Sequence, residues 1–326
     1  MDKIKKIYEL NENEPKMMTL MVTDLKDKGF TVRGEPYVSV SLFDGVKTIS
    51  VNFFGKTKQM LIDAGICKEA IVKVELTKNG TYYNQNGYKP NDDPSITIAD
   101  FKHIAPINPD EIFDWLLDQV KAVDSNPLDI GPYSSVAHLT LGLLQDHADA
   151  FKRSSAAVTM HHNFLSGLLY HTQRMVSLSL SVCDTYTGLD KELLVCATSL
   201  HDIGKVTCYE TKDVGEPEIT VTGRLLDHAV VGILMIEKAS ENAVYNPEKI
   251  QMLEHMLASH HGKKEWGAIT TPGFPEAEML HLIDMIDSRM NMFEEAYKGQ
   301  EAGTISKDKV YGLENSYIYK PLYPEG

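Results

Sequence analysis

The spacing of apolar residues changes once along the chain, at Pro106 to Pro109, and no single architecture accommodates both spacings. Before the change, side chains alternate. In Pro36-Tyr-Val-Ser-Val-Ser-Leu-Phe, Tyr37, Ser39 and Ser41 alternate with Val38, Val40 and Leu42, the period of a half-buried strand. After it, Ile112, Trp115, Leu116, Gln119 and Val120 recur at helical spacing, with Asn108 as the expected cap and Pro109 at the first helical position. The chain is therefore read as multidomain, a small all-β part followed by a mostly α-helical one.

In the β part, strands are expected over residues 18–23, 36–43 and 48–54, the last two joined by a turn at Asp44-Gly45 of the kind that closes hairpins. A helix is expected over residues 56–64 and further strands over 71–76 and 95–98, with Asn79-Gly80 as a turn and Tyr82, Tyr83 and Tyr88 between them. Five strands with a helix between the third and fourth is the chain order of an OB-type barrel. Such barrels bind single strands by stacking bases on aromatic side chains while lysines follow the phosphates. Phe53, Phe54, Tyr82, Tyr83 and Tyr88, with Lys56, are the candidates. Strand aromatics also fill barrel cores, so the set carries this expectation and no single member does.

The second part predicts helices over residues 135–148, 163–183, 191–200, 227–240, 247–259 and 276–296. Between 210 and 221, Gly215, Pro217 and a β-branched run favour a hairpin, and the polar, Tyr-rich stretch from Gly299 reads as an extended tail. The expected domains are a barrel over 1–106, a helical connector over 107–134, a helical domain over 135–298 and a C-terminal extension over 299–326.

Charge limits the partners. The net charge is −14, from 32 Lys and Arg against 46 Asp and Glu, which excludes a broad basic surface that coats nucleic acid or anionic membrane. It is unevenly spread: residues 1–108 carry 15 basic and 14 acidic side chains, residues 109–326 carry 17 and 32. A local basic face on the first part remains compatible with the total. No stretch approaches the roughly 20 apolar residues of a membrane span, and the N-terminus lacks a secretory apolar core. Cys67, Cys183, Cys196 and Cys208 form no CxxC pair. A cytoplasmic protein is expected.

Chemistry is concentrated in the helical part. His201-Asp202-Ile-Gly-Lys205 follows the apolar run Leu193 to Leu200, so an imidazole and a carboxylate end a buried helix, a costly placement unless they are paired or bind metal. Imidazole nitrogen with carboxylate oxygen suits divalent ions such as manganese, iron or zinc. His171, His228, the pair His260-His261 and Asp284 each fall near an end or the inner face of a different expected helix, as ligands must in a helical core. His103, His138, His147 and His255 are read as ordinary histidines.

The order His171, His201-Asp202, Asp284 resembles the H…HD…D signature of HD-domain metal-dependent phosphohydrolases, and His228 and His260 resemble the extra ligands of its two-metal members. His161-His-Asn-Phe-Leu-Ser-Gly-Leu-Leu-Tyr-His-Thr, Leu200-His-Asp-Ile-Gly-Lys, Gly223-Arg-Leu-Leu-Asp-His and Ser259-His-His-Gly-Lys-Lys-Glu-Trp-Gly-Ala are more closely similar to the YhaM family of 3′-5′ exoribonucleases. That resemblance implies an OB-type domain before an HD domain and hydrolysis of single-stranded RNA, or single-stranded DNA, to nucleoside 5′-monophosphates. It implies two divalent ions, manganese first, with iron, cobalt, magnesium or zinc as alternatives. One would be held by His171, His201, Asp202 and Asp284, with Asp202 shared to a second held by His228 and His260. Lys205, His261 and His162 would contact the phosphate or protonate the leaving group, and His281 and Asp287, one turn from Asp284, would support the ligands. Adjacent positions leave His260 against His261, and His161 against His162, undecided. Two departures lie beside the site: Tyr170 where the family usually has an acidic residue, and Asp227 where it usually has glycine. Both leave substrate preference open, and the alternative is an HD phosphohydrolase acting on nucleotides or cyclic dinucleotides. A homo-oligomer is compatible with either.

Overall fold

β1 (Lys16–Phe30), β2 (Pro36–Phe43) and β3 (Thr48–Phe54) run antiparallel to one another, and β4 (Ile71–Asn79) and β5 (Tyr82–Pro90) continue the sheet in the order β3-β2-β1-β4-β5. The computed structural model describes residues 4–45, 47–101, 104–128, 131–157, 164–211 and 217–322, with Ala99 described by its backbone alone. Expectations for His103, His161, His162 and Gly215 lie outside these residues. The chain divides into an N-terminal unit ending before Ile104 and a C-terminal unit from Ile104 onward.

In the N-terminal unit β1 is long enough to serve two neighbours. Its first part, Lys16 to Met21, pairs with β4, and from Met21 onward it pairs with β2, with register shifts at Val22/Asp24 and Asp27/Phe30. Such bulges bend and twist a strand, which curves the sheet toward closure. Alternation then sorts the faces. Ile49, Val51 and Phe53 of β3 are buried while Phe54 is exposed, and Val40 lies opposite Val51, Leu42 opposite Ile49. The Phe53 ring meets Tyr88 of β5 at 5.1 Å between centroids, bringing the ends of the sheet order together inside the core. α1 (Lys58–Asp63) follows β3, with the Thr57 hydroxyl accepting the Met60 N–H. A five-stranded antiparallel sheet of OB-like order therefore precedes the helical domain.

One strand differs from expectation. The fifth strand is the aromatic segment Tyr82–Pro90, and residues 95–98 instead lead into a 3-10 turn over Ile98–Phe101. Asn79-Gly80, with Gly80 at φ +61°, turns β4 straight back into a partner. Beyond it, the Asp93 carboxylate accepts the Ser95 N–H ahead of any strand, the local competition that makes Asp and Ser turn formers.

The C-terminal unit holds α2 (Pro109–Ala122), α3 (Val136–Asp146), α4 (Ala148–Arg153), α5 (Gly167–Thr185), α6 (Lys191–Leu200), α7 (Lys205–Cys208), α8 (Val221–Leu226), α9 (His228–Ser240), α10 (Pro247–Ser259) and α11 (Pro275–Tyr297). The short β6 (Tyr209–Glu210) and β7 (Glu218–Ile219) pair antiparallel between α7 and α8. Asn108 caps α2 through the Asp110 N–H with Pro109 at its start, and Phe113, Leu116, Leu117 and Val120 enter the same core as α3, α5, α6, α10 and α11. α6 is central. Every side chain from Glu192 to Leu200 is buried, the signature of a helix surrounded by others, and its polar members are satisfied: Thr198 and Ser179 share a hydrogen bond of 2.8 Å.

The stretch after Gly299 is folded back along α11, not extended. Leu313 and Ile318 are buried, Arg289 pairs with Glu314 at 3.0 Å, and the Tyr297 hydroxyl donates to the Tyr319 carbonyl at 3.1 Å. Its polar, Tyr-rich composition concealed two apolar anchors in a segment without periodicity. Among the described residues no helix is long and apolar enough to cross a membrane.

Candidate metal centre

His201 and Asp202 follow α6 directly, so the most buried helix of the unit delivers them to its own C-terminal end. What brings the next element against them is Gly204: a Cβ there would lie 2.0 Å from the His228 carbonyl oxygen and 2.8 Å from the Gly232 nitrogen. The first turn of α9 can pack onto the 201–204 turn only because that atom is missing. At the C-terminal end of α10, Gly262 turns the chain at φ +76°, where a Cβ would fall 2.2 Å from the His281 ring. His281 in turn donates from Nδ1 to the His260 carbonyl at 3.0 Å. α5 contributes His171 from its buried face, and α11 contributes Asp284 and Asp287.

These elements bring together two groups of donors, His171, His201 and Asp284, and His228, His260 and His261, each with ligand atoms within 4.8 Å of one another. Asp202 lies between them. Its Oδ2 is 3.2 Å from His201 Nε2, and its Oδ1 is 3.3 Å from His228 Nε2 and 3.8 Å from His260 Nε2. His171 Nε2 is 3.4 Å from Asp284 Oδ1. His261, expected near the phosphate, is grouped with His228 and His260.

The outer bonds set the tautomers. Nδ1 of His201 donates to the Thr198 carbonyl at 2.8 Å, that of His260 to the Leu257 carbonyl at 2.7 Å, that of His228 to Asp227 at 2.7 Å and that of His171 to Asp287 at 2.7 Å. Asp287 is itself held by Arg174 Nε at 2.5 Å. With Nδ1 engaged, each Nε2 turns inward, the arrangement in which outer partners orient metal-binding imidazoles. Asp287 was expected to support the site; Arg174 was not singled out, and its only sequence signal is its position three residues after His171.

The interior of the cluster is polar and unsatisfied. Nε2 of His201, His228 and His260, Oδ1 of Asp202 and Nδ1 of His261 are buried with no hydrogen-bond partner among the described residues. A buried polar atom left unpaired costs about 1–3 kcal/mol, and five converging on one volume would be a heavy burden in a native core. Divalent cations fit this donor set of imidazole nitrogen and carboxylate oxygen.

Electrostatics keep the carboxylates of Asp202 and Asp284 ionised and the imidazoles of His260 and His261 neutral. Burial alone would raise the Asp202 carboxyl, but Lys205, His201 and His228 hold it well below the usual carboxylate range. Burial pushes His260 well down, helped by His261, and lowers His261 as well, so both favour the neutral, ligating form. Burial opposes charge on His171 too, but hydrogen bonds to Asp284 and Asp287 outweigh it and carry the group up to about 9. Lys205 donates to Asp202 Oδ2 at 2.5 Å; although burial disfavours its charge, Asp202 raises its pKa.

The remaining candidates fall elsewhere. His162 lies outside the described residues. His138 and His147 belong to neither group, and His255 accepts the Gly273 N–H at 3.0 Å. In the barrel, Phe53 is fully buried and is corrected from base-stacking candidate to core residue, because β3 alternation points it inward. Tyr83 and Tyr88 pack partly against the same core. Phe54, stacked on Tyr37 at 5.5 Å, and Tyr82 are exposed, and Lys56 is half-buried.

Residues 168–291 match the family described as HD domain. The 3′-5′ exoribonuclease YhaM of Bacillus subtilis is 31% identical over 304 residues, covering 91% of this chain and 92% of that protein. The protein of the same name from Bacillus licheniformis is 32% identical over 305 residues, covering 91% and 92%. That of Geobacillus sp. (strain WCH70) is 30% identical over 305 residues, covering 91% and 89%.

Proposed function

The chain belongs to the YhaM family of 3′-5′ exoribonucleases, a hydrolytic exonuclease with an HD domain, and we propose that it removes nucleoside 5′-monophosphates from the 3′ end of single-stranded RNA, using two divalent ions, manganese foremost. The observation that carries the metal reading is the set of five buried donor atoms around Asp202 that lack partners. His171, His201 and Asp284 would hold one ion, His228, His260 and His261 the other, with Asp202 facing both. Bound divalent ions supply a nucleophile at neutral pH and stabilise the attacking and leaving oxygens of an in-line displacement.

The chain's own groups do the rest. Asp202 and Asp284 are held ionised, and the Nδ1 bonds keep each imidazole aimed inward before any substrate arrives. Lys205, charged and buried beside Asp202, is suited to a non-bridging phosphate oxygen, where a fixed cation in a dry site stabilises developing negative charge. Asp284 is the more exposed carboxylate, its side chain at 16% against 3% for Asp202, so the terminal phosphodiester would enter on that side. Exposed Phe54 and Tyr82, with Lys56, support a capturing role for the barrel by base stacking.

The test is product analysis with manganese present. RNA labelled at the 3′ end should release labelled mononucleotide at once, RNA labelled at the 5′ end should shorten as a ladder, and a panel of free and cyclic nucleotides should persist. Activity confined to that panel would sink the exonuclease reading. Full activity in Asp202→Ala would remove the metal assignment.

A further inference from the structure

His201 and His260 fix their Nδ1 protons in the same way. Each sits just past the C-terminal end of a helix, and each donates to the carbonyl three residues earlier, Thr198 and Leu257. Helix C-terminal ends carry carbonyls that the helix leaves unpaired. His228 has no such resource, because it is the first residue of α9, and N-terminal ends leave donors, not acceptors. Its Nδ1 donates to Asp227 Oδ1 at 2.7 Å.

Asp227 is an unexpected residue for its position. Its backbone lies at φ +67°, ψ 155°, a region that glycine enters freely and other residues enter at a cost. The same Oδ1 caps α9 through the Ala229 N–H at 3.2 Å, yet glycine at a cap loses little. Neither backbone nor cap accounts for the side chain. We propose that Asp227 is a positioning residue, held in a strained conformation because its carboxylate fixes the His228 tautomer and so sets the affinity of the ion bound by His228, His260 and His261. The inference rests on the two-ion reading above.

Three chains separate the roles: wild type, Asp227→Gly and Asp227→Asn. Each is stripped of metal, melted, titrated calorimetrically with Mn²⁺, and examined by long-range ¹⁵N–¹H NMR of the His228 ring. Asp227→Gly should melt at or above the wild type, bind the first ion as tightly, bind the second about 10–100-fold more weakly, and lose the Nδ1–H signature at His228. Asp227→Asn keeps the acceptor and should recover most of that affinity. If Asp227→Gly instead melts lower and both ions weaken together, the role is structural and the inference is overturned; equal binding of both ions by wild type and Asp227→Gly also overturns it. A wild type that takes no second ion defeats the two-ion reading, and the inference with it.

Discussion

His171 is gripped from both sides, by Asp287 at Nδ1 and Asp284 at Nε2, and its pKa of about 9 has two consequences. In metal-free protein the ring is protonated at neutral pH, so a bound ion must expel the Nε2 proton. Mn²⁺ affinity measured by calorimetry should therefore rise with pH, about tenfold per unit at most, and level off near pH 9. Because the folded value lies above the ordinary 6.5, this group stabilises the metal-free fold fully below pH 6.5, and that contribution is lost as pH rises through about 9. Melting of stripped protein across that window checks the sign. A second prediction concerns thiols. Burial raises Cys183, Cys196 and Cys208, whereas Cys67 is exposed. A thiol reagent should label one cysteine fast in the native protein and the other three only in denaturant. Much at this scale was legible, since His171, His201, Asp202, His228 and Asp284 stood out by residue type beside apolar helices. Side-chain direction was not. His260 and His261 are neighbours in sequence, and only the turn at Gly262 shows that both reach the second group.

At the scale of elements, α6 and α10 have the bounds expected from the sequence, Lys191–Leu200 and Pro247–Ser259. Asp190 and Asn246 cap them by accepting backbone N–H groups. β5 escaped because Tyr-Tyr-Asn-Gln-Asn-Gly-Tyr lacks the apolar alternation that marks strands; it pairs with β4 through its backbone and buries only part of its aromatic area. Long-range packing was equally hidden, and Gly204 is the clearest case. Its backbone is ordinary, with φ −60°, so nothing local demands glycine; the requirement comes from α9. Gly204→Ala should lower stability by about 1–3 kcal/mol or more, the cost of overpacking, and weaken Mn²⁺ binding as His228 is displaced. Asn108→Ala should cost about 1 kcal/mol, the worth of a cap, while leaving metal affinity intact. Chemical denaturation paired with metal titration distinguishes the two.

For the whole molecule, bound ions should add measurably to stability. If the centre binds only in the folded state, Mn²⁺ at about 100 times its Kd adds about 2.7 kcal/mol, so chelation should lower the melting temperature reversibly. The charge asymmetry between the barrel and the helical part predicts a division of labour. Phe54→Ala with Tyr82→Ala should weaken binding of a long single strand by about 1–3 kcal/mol per lost stack and leave kcat on a short model diester unchanged; matching losses on both substrates would argue against capture by the barrel. One consequence of the ligand layout concerns synthesis of the chain. The donors come from α5, the end of α6, the start of α9, the end of α10 and the middle of α11, so residues far apart in translation must all be in place at once. A nascent chain that has not yet reached Asp284 lacks a donor of its first group, whatever else has folded. The first donor group therefore closes only when α11, which follows every other donor-bearing helix in the chain, has been made and packed.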